Sequence, residues 1–269
     1  MTPEKIKPRW VFRGASSEEK VAVPDFFNLN NIPEGTARIM MRRGISTEEK
    51  LTHFLYDTLD NLSDPFLMKG MQQAVRRIIQ AIDLKEKIVI YGDYDVDGIT
   101  STSICVRCLR KLGADVNFYI PLREEEGYGL NRDAINKLSK EGVSLLITVD
   151  CGISSADLVA EAPQSLDIII TDHHQPPKVL PDCVAVLNPH QEDCPYPYKE
   201  LAGCGVAFTL CRGIYKELYN EDYKEKGNPD LKHTVADNID LRYEFFPKSS
   251  EQFMVGLFYK NIQDPIEYG

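Results

Sequence analysis

Short apolar runs alternate with helical patterns through the middle of this chain, and this alternation restricts the fold more than any other feature. The apolar runs are 87–91, 116–120, 145–149, 168–171 and 184–187. They are apolar on both faces, which is typical of strands buried in a parallel sheet. Because strands that alternate with helices indicate βαβ units, the sequence predicts an α/β fold with a doubly wound, mostly parallel sheet.

Helix signals lie between these strands and after the last of them. Helical patterns are predicted over 99–112 and 202–218. Asn131 is placed to cap a helix that stops at Gly142, and the serines at 154–155 are placed to cap a short one. Each strand can therefore be joined to the next by a connection long enough for parallel pairing.

The region before the first strand is also predicted to be helical. Ser46 and Glu49 have the spacing of a capping box. The Asp-Pro pair at 64–65 opens a longer helical pattern that includes Met68 and Met71. We therefore expect an N-terminal helical region at 1–84, an α/β domain at 85–218 and a C-terminal segment of undefined structure at 219–269.

Composition narrows the classes of function. With 41 acidic and 31 basic side chains, the formal net charge of −10 excludes a polycation that coats nucleic acid through its overall charge. Phosphates would have to be bound locally, by arginines or by metal ions that carboxylates hold. No apolar run approaches the roughly 20 residues of a membrane span, and no secretory signal is visible. The seven scattered cysteines then predict reduced thiols in the cytoplasm, with Cys105-x-x-Cys108 in a structural role.

Acidic residues follow three of the predicted strands at the point where each strand ends. They are Asp93, Asp95 and Asp97 after the first strand, Asp150 after the third, and Asp172 with His173 and His174 after the fourth. Because the carboxyl ends of parallel strands share one edge of a doubly wound sheet, these side chains are expected to converge there.

Crowded carboxylates repel one another unless a positive charge lies between them, and a divalent cation is the natural one. Asp150 comes from a neighbouring strand and can bridge two ions about 3.5–4 Å apart, as two-metal phosphoryl sites require. An imidazole at His173 shifts the preference away from calcium toward manganese, iron or zinc, whereas carboxylates favour manganese or magnesium, and manganese satisfies both. The sequence therefore predicts a site for two Mn²⁺ ions, with Mg²⁺ as the alternative.

These acids also permit other interpretations. Any one of them alone is better explained as a helix cap or a loop residue. The spacing from Asp93 to Gly98 imitates an EF-hand loop, but Ile104 occupies the twelfth position, where a bidentate Glu is needed. The same stretch imitates the D-x-D-x-V nucleophile motif of haloacid-dehalogenase phosphatases, which leaves the paired histidines without a role.

Three of these motifs resemble those of a known family. The chain reads IYGDYDVDGITS at 90–101, TVDCG at 148–152 and TDHH at 171–174. These three segments are similar to the first three motifs of the DHH phosphoesterase family, and in particular to those of its RecJ-type single-stranded-DNA exonucleases. Further similarity lies in RGI at 43–45, PLR at 121–123, EGYGL at 126–130, NP at 188–189 and LAGCGVAF at 201–208. The resemblance runs from about Trp10 to about Leu210.

The resemblance implies a role for each motif residue. Asp93 would bind one manganese ion, Asp95 the other, and Asp150 would bridge the two. His173 would complete the shell of the second ion, and His174 would face the scissile phosphate.

Other residues would support this set. The resemblance implies that Asp172 and Asp97 orient neighbouring groups without binding the metal themselves. Arg123 would contact the phosphate of the substrate, or is a solvated charge held by the acids at 124–126. Gly203 and Gly205 would allow a close backbone approach to substrate, or ordinary packing of helix on sheet.

The implied activity is two-metal hydrolysis of a phosphodiester, as a 5′–3′ exonuclease on single-stranded DNA in DNA repair and recombination. A helicase or a single-strand-binding protein would be a further partner, and no membrane would be involved. Two alternatives stay open at this point: a phosphodiesterase for short oligonucleotides or cyclic dinucleotides, and a scaffold without catalysis. The complete acidic set opposes the scaffold, and the long region before the first motif opposes the small-substrate class.

The chain departs from the family pattern in two places. Tyr91 stands where some relatives have a metal-binding histidine. The family also has a last metal-binding Asp in a helix that reads D-L-x-A-x-x-T-x-A-D, and here the spacing between Asp230 and Asp237 is two residues too short, so that either could be this ligand. The match fades after Asp237, and we expect the catalytic part of such an enzyme without its DHH-associated domain.

Overall fold

The computed structural model describes residues 22–122, 127, 129–224, 235–248 and 251–263. The chain divides into two compact units, Met1–Asp64 and Pro65–Gly269. The described helices of the first unit are α1 (Asp25–Leu29), α2 (Glu34–Arg42) and α3 (Glu48–Tyr56), followed by a 3-10 turn at Leu59–Asn61. Their apolar faces meet in a small core of Phe27, Ala37, Met40 and Leu51. The predicted helical character of this region is thus confirmed.

The start of α3 differs from the predicted capping box. Thr47, and not Ser46, is the N-cap residue, and its hydroxyl accepts a hydrogen bond from the backbone N–H of Lys50 at 3.3 Å. A capping box needs Glu or Gln three residues after the cap. Lys50 occupies that position, so the cap is a single hydrogen bond and the prediction was wrong by one residue.

The second unit is built on a sheet of five parallel strands. The strands are β1 (Lys87–Gly92), β2 (Asp115–Tyr119), β3 (Val143–Val149), β4 (Asp167–Thr171) and β5 (Ala185–Leu187). Their order across the sheet is β2–β1–β3–β4–β5, and every neighbouring pair is parallel. This confirms the predicted doubly wound α/β fold.

Helices cover both faces of the sheet. They are α4 (Met71–Asp83), α5 (Val96–Lys111), α6 (Arg132–Lys140), α7 (Ala156–Ala160) and α8 (Gly203–Tyr219). In β1, Ile88 and Ile90 pack in one core with α4, α5 and α8, whereas Val89 and Tyr91 pack in the other with α6 and α7. Successive side chains of a strand point to opposite faces, which explains why this strand is apolar throughout.

Helix α5 begins three residues earlier than the predicted position 99. Its N-cap is Asp95, whose Oδ1 accepts a hydrogen bond from the backbone N–H of Gly98 at 2.9 Å. The helix therefore starts at Val96, and Asp97 lies in its first turn. The acids after β1 therefore do not lie in one loop, because Asp95 caps α5 and Asp97 is part of this helix.

The other predicted caps have mixed outcomes. Asn131 caps α6 as expected, since its Oδ1 accepts a hydrogen bond from the backbone N–H of Ala134 at 2.7 Å. Ser155 lies at the N-cap of α7 but makes no side-chain hydrogen bond there. Ala202 precedes α8 and does not belong to it.

Helix α4 belongs to the unit that contains the sheet. Met71, Val75 and Ile78 are fully buried in the same core as β1 and β3. Met68 lies before this helix, after a 3-10 turn at Pro65–Leu67. The structural division after Asp64 therefore differs from the boundary predicted at 84, because the apolar face of α4 packs on the sheet unit.

The C-terminal segment contains a β-hairpin. Strands β6 (Val235–Lys248) and β7 (Glu251–Gln263) pair in antiparallel register, from Val235 opposite Gln263 to Lys248 opposite Glu251. The sequence did not predict these strands. The hairpin also includes Asp237, which the family motif places in a helix and which lies in β6.

All seven cysteines are free thiols. Cys105 and Cys108 are buried in the core between α5 and the sheet, which agrees with the structural role expected for this pair. Within the described residues, no helix combines the length and the apolar composition that a bilayer crossing needs.

A close backbone approach between the N-terminus of α4 and β5 yields a stability prediction. Gly70 has φ +85°, and a Cβ added there would lie 2.6 Å from the carbonyl oxygen of Val186. Gly113 has a similar φ of +79°, and an added Cβ meets nothing within 4 Å. A side chain in the left-handed region costs about 1–2 kcal/mol. Gly70→Ala should lower the free energy of unfolding by a further 1–3 kcal/mol or so through overpacking.

Urea unfolding followed by circular dichroism measures both variants against the unchanged chain. Gly113→Ala is the matched control, since it carries the φ penalty without the contact. Equal losses in the two variants would contradict the close approach of α4 to β5.

Candidate metal centre

The register of the sheet brings three acids to one edge. Gly92 pairs with Val149 and Val149 with Thr171, so that β1, β3 and β4 end side by side. The residues that follow are Asp93, Asp150 and Asp172, which are only 3%, 2% and 1% exposed. The structure therefore brings together acids that are far apart in sequence, as the strand ends predicted.

Two groups of possible ligands share Asp150. In the first group, oxygen atoms of Asp93, Asp95 and Asp150 all lie within 4.8 Å of one another. In the second group, Asp150 lies within the same distance of ring nitrogens of His173 and His174. One carboxylate between two groups is the arrangement that a bridging ligand of two cations needs.

Asp150 is held in an unusual backbone conformation. Its φ is +61°, in the left-handed region, which Asp tolerates better than most residues. Its backbone N–H donates to the carbonyl oxygen of Thr171 at 3.0 Å, which extends the pairing of β3 and β4 by one residue. Strained backbone of this kind persists where the surrounding structure determines it, and it is frequent at functional sites.

The charge of Asp150 is only partly compensated. Burial, followed by the negative charges of Asp97 and Asp95, raises the pKa of Asp150 to about 7, although the charge of His174 acts in the opposite direction. Its buried Oδ1 makes no hydrogen bond of good geometry among the described residues, and the ring nitrogen Nε2 of His173 lies 3.1 Å away. A buried carboxylate among other acids fits a cation, because a bound cation would remove the repulsion.

Asp172 has a different environment. Its Oδ2 accepts from the backbone N–H of Ile153 at 3.0 Å, and its Oδ1 accepts from the backbone N–H groups of His173 at 2.7 Å and His174 at 3.0 Å. Oδ1 also lies 2.7 Å from the ring Nδ1 of His174. Donors surround this carboxylate, so its place in the site is to hold the two histidines.

The hydrogen bond to Asp172 sets the orientation of His174. Because the carboxylate accepts, Nδ1 carries the proton and Nε2 is directed away from Asp172. Burial lowers the pKa of His174, but the hydrogen bond and the negative charge of Asp172 outweigh this effect, and the pKa is raised. The side chain of His174 is 48% exposed, against 29% for His173. His174 is therefore the more accessible of the two imidazoles.

Asp97 is bound at the start of α8. Its Oδ2 accepts from the backbone N–H of Gly203 and its Oδ1 from that of Cys204, both at 2.7 Å. Burial raises the pKa of Asp97, but these two hydrogen bonds outweigh burial, and the pKa is lowered. Two backbone N–H groups of α8 thus hold this carboxylate, and the supporting role of Asp97 stays a prediction.

Sequence reasoning missed the part that Asn188 plays. This residue is fully buried directly after β5, at the same edge as the acids. Its Nδ2 donates to the carbonyl oxygen of His174 at 2.8 Å, and its Oδ1 accepts from the backbone N–H of His190 at 2.8 Å. It ties the segment after β4 to the segment after β5. Its place one residue after a predicted strand was the signal that could have found it.

Tyr91 is a core residue in this chain. It is fully buried, its hydroxyl donates to the carbonyl oxygen of Gly129 at 2.9 Å, and it accepts from Nδ2 of Asn131 at 3.1 Å. Its ring stacks on Tyr119 with centroids 5.3 Å apart. The phenol therefore joins β1 to the segment before α6.

Three predicted site residues cannot be placed among these groups. Arg123 and Asp230 lie outside the described residues. Asp237 lies in β6, where only the backbone is described. The choice between Asp230 and Asp237 as a metal ligand stays a prediction, and so does the phosphate contact of Arg123.

Comparison with known proteins agrees with the motifs and the fold. The family model described as "DHH family, N-terminal domain" matches residues 87–239. The single-stranded-DNA-specific exonuclease RecJ of Bacillus subtilis is 44% identical over 241 residues, which are 88% of this chain and 30% of the relative. RecJ of Haemophilus influenzae is 43% identical over 166 residues, 60% of this chain and 29% of the relative.

A solved structure agrees as well. RecJ from Thermus thermophilus in complex with Mn²⁺ matches with a TM-score of 0.55 and 30% identity, over 72% of this chain and 27% of that one. The chain therefore spans about 30% of the length of the curated relatives. These comparisons give no support to a haloacid-dehalogenase phosphatase. Because the family model matches more than half of the residues, the chain belongs to the DHH family.

Proposed function

We propose that this chain is the catalytic part of a metal-dependent, RecJ-type exonuclease that hydrolyses single-stranded DNA from the 5′ end, in DNA repair and recombination. The observation that carries the proposal is the position of Asp150 between two groups of ligands, one with Asp93 and Asp95 and one with the histidines. The curated relatives named above, which are 44% and 43% identical to this chain over the matched residues, are single-stranded-DNA-specific exonucleases.

The metal site would use residues from both groups of ligands. Asp93, Asp95, Asp150 and His173 would hold two divalent cations, with a further carboxylate from Asp230 or Asp237. Manganese is proposed because these ligands combine carboxylates with an imidazole and because the Thermus RecJ structure binds Mn²⁺; magnesium is the alternative. When bound, the two cations supply a water of lowered pKa and stabilise negative charge on the phosphate.

The chain's own residues would position the substrate. His174 holds a proton on Nδ1 through Asp172, and its raised pKa favours a second proton on Nε2, from which the ring can donate a hydrogen bond to an oxygen of the scissile phosphate. Asn188 fixes the backbone of His174 and so limits the movement of this ring. Arg123 would contact the phosphate through its guanidinium. A helicase or a single-strand-binding protein as partner, and a cytoplasmic location, complete the proposal.

Labelled oligonucleotides test this function directly. With Mn²⁺ present, a 5′-labelled single strand should release its label in the first products, and a 3′-labelled strand should shorten progressively. Duplex DNA and samples with EDTA should stay intact. Cleavage of dinucleotides or cyclic dinucleotides with longer strands untouched would favour the small-substrate phosphodiesterase instead.

Asp150→Asn should separate catalysis from folding. The amide has the shape of the carboxylate and tolerates the left-handed backbone, but it removes the charge shared by the two ligand groups. Hydrolysis should fall by more than about 100-fold, the scale on which single charge-stabilising groups act. Mn²⁺ binding, measured by calorimetry, should weaken as well.

Stability is the control for this variant. Without metal, Asp150→Asn should be no less stable than the unchanged chain in urea, because a buried charge has been removed. Full activity in the variant, or a large loss of stability, would argue against Asp150 as the shared ligand.

The two histidines should differ in their effects. His173→Ala should weaken Mn²⁺ affinity by at least about tenfold, because its Nε2 lies against Asp150. His174→Ala should lower kcat by about 100-fold or more with Mn²⁺ still bound, because its ring is held by Asp172 toward the open side. Calorimetry and single-turnover kinetics measure the two effects. Equal loss of metal in both variants would contradict this division.

Binding of long single strands by the 269-residue chain should be weak. The net charge is −10, and Arg77, one of its few clustered basic groups, is already paired with Asp167 and Glu86. Each phosphate contact adds about −0.7 to the slope of log K against log salt on single strands. Fluorescence anisotropy with the Asp150→Asn variant should give a slope no steeper than about −2, or about three contacts. A slope near −5 would instead require an extended basic track.

A further inference from the structure

The hairpin of β6 and β7 has one face without charge over much of its length. Successive residues of a strand lie on opposite faces, so two residues that are directly opposite each other in the register share a face. Four cross-strand pairs that follow one another on one face contain only aliphatic or aromatic residues. They are Ile239 with Tyr259, Leu241 with Leu257, Tyr243 with Val255, and Phe245 with Phe253. We call these eight residues the apolar face; the pair of Asp237 with Asn261 bounds it at the end away from the turn.

The opposite face of the hairpin carries charged residues over the same stretch. Its cross-strand pairs are Asn238 with Lys260, Asp240 with Phe258, Arg242 with Gly256, and Glu244 with Met254. An antiparallel sheet with one apolar and one polar face is typically packed on the apolar side and solvated on the other. The register therefore indicates that the apolar face is the one to be covered.

The part of the chain that the structure describes leaves this face open at one aromatic residue. Tyr259 is 61% exposed, although it is paired with Ile239 in the apolar face. A hairpin of two strands is marginally stable in water by itself and needs further structure packed on its apolar side. The family model ends at residue 239, so most of the hairpin lies beyond the family match. That match therefore assigns no partner to this face.

The apolar face is large enough for a dimer interface. Four of its eight residues are aromatic, and a covered aromatic residue buries roughly 150–250 Å². At the lower figure the four aromatic residues account for about 600 Å², to which the four aliphatic residues add. A stable interface of standard size buries about 800 Å² per partner. Two hairpins stacked through this face would therefore reach the size that a specific dimer needs.

Charge favours a second copy of the chain over a nucleic acid as the occupant. Single-stranded nucleic acids stack on aromatic residues that lie along a basic groove. The apolar face contains no Lys or Arg, and Arg242 and Lys260 lie on the opposite face. Two copies of a chain with a net charge of −10 repel each other, so they can associate only where the contact itself is uncharged. The apolar face meets this condition.

A two-fold axis across the middle of the apolar face makes the face complementary to itself. The pair of leucines would then face the pair that contains Tyr243 in the second copy. The pair that contains Tyr259 would face the pair of phenylalanines. Large residues would thus meet smaller ones along much of the contact, which suits the close packing of two sheets face to face. A contact of the same patch on both copies closes on itself and stops at two.

We propose that the apolar face of the hairpin is a dimerisation surface, through which two copies of this chain stack their hairpins as a four-stranded β-sandwich. The inference rests on the register of β6 and β7 and does not depend on the proposed metal site or on exonuclease activity. It adds a second copy of the chain to the partners proposed above.

Sedimentation equilibrium of the 269-residue chain over a series of concentrations tests the proposal. The average mass of the unchanged chain should rise from 30.5 kDa toward twice that value. Leu257→Asp and Val255→Lys each place a charge in the middle of the apolar face. Each should weaken dimerisation by at least about 30-fold, the effect of losing one hot-spot residue.

An equal mixture of these two variants tests the two-fold arrangement. Residue 257 of one copy would face residue 255 of the other, so the mixture would place opposite charges against each other. The mixture should therefore dimerise more tightly than either variant alone.

Phe258→Asp is the matched control. It makes the same kind of change at the next residue of β7, which lies on the opposite face. Its dissociation constant should stay within about fivefold of that of the unchanged chain, because residues outside an interface contribute little to affinity.

The measurement on the unchanged chain decides the question even if a variant fails to fold. A mass that stays at 30.5 kDa at every concentration would overturn the proposal, and so would assembly beyond two copies. Equal weakening by Phe258→Asp would show that the effect is not specific to the apolar face, which overturns it as well. A mixture that dimerises no better than its components would refute the two-fold arrangement. A monomer whose binding to single-stranded DNA is lost in Leu257→Asp would assign the face to nucleic acid instead.

Discussion

The repulsion between buried carboxylates at one edge of the sheet is the constraint on which the rest of the site depends. Asp93 and Asp150 follow neighbouring strands that end in register, so the fold cannot separate them. Moving such charges out of water is costly unless a positive group compensates them. The raised pKa of Asp150, to about 7, expresses that cost for the chain without metal.

The neighbouring acids of the site differ in their hydrogen-bond donors. Asp172 receives three backbone N–H groups and the ring of His174, and Asp97 receives two backbone N–H groups from α8. Asp95 caps α5 and still lies within reach of Asp93 and Asp150. Asp172 and Asp97 thus receive more backbone donors than Asp95, which accepts from the backbone N–H of Gly98. The acids proposed to bind a cation are those whose oxygens face one another across the strand ends.

The match to the DHH family concerns the part of the chain that carries these acids. The family model begins at the first residue of β1 and extends to residue 239, so it includes the strand ends that carry the site. The B. subtilis relative matches over a longer range, 241 residues, which also takes in much of the first unit. The chain spans about 30% of the length of that relative.

The sequence by itself determined the parallel sheet and the acids at its edge. Apolar runs separated by helices predict such a sheet, and the carboxyl ends of parallel strands must meet at one edge, so Asp93, Asp150 and Asp172 could be assigned to one site. These inferences need only local patterns and a general rule of topology. The cap at Thr47 and the start of α5 at Val96 were missed by one and three residues, because several neighbouring polar residues can cap a helix equally well.

Only the tertiary structure decided which acid is compensated by which donor. The N–H groups that bind Asp97 come from residues more than 100 positions later, and no local pattern reports that distance. The same holds for the contact of Gly203 with Asp150, the hydrogen bond from Asn188 to His174, and the packing of α4 with the sheet. Each of these contacts depends on how helices and strands pack against one another. The whole core determines that packing, and the contacting residues alone do not.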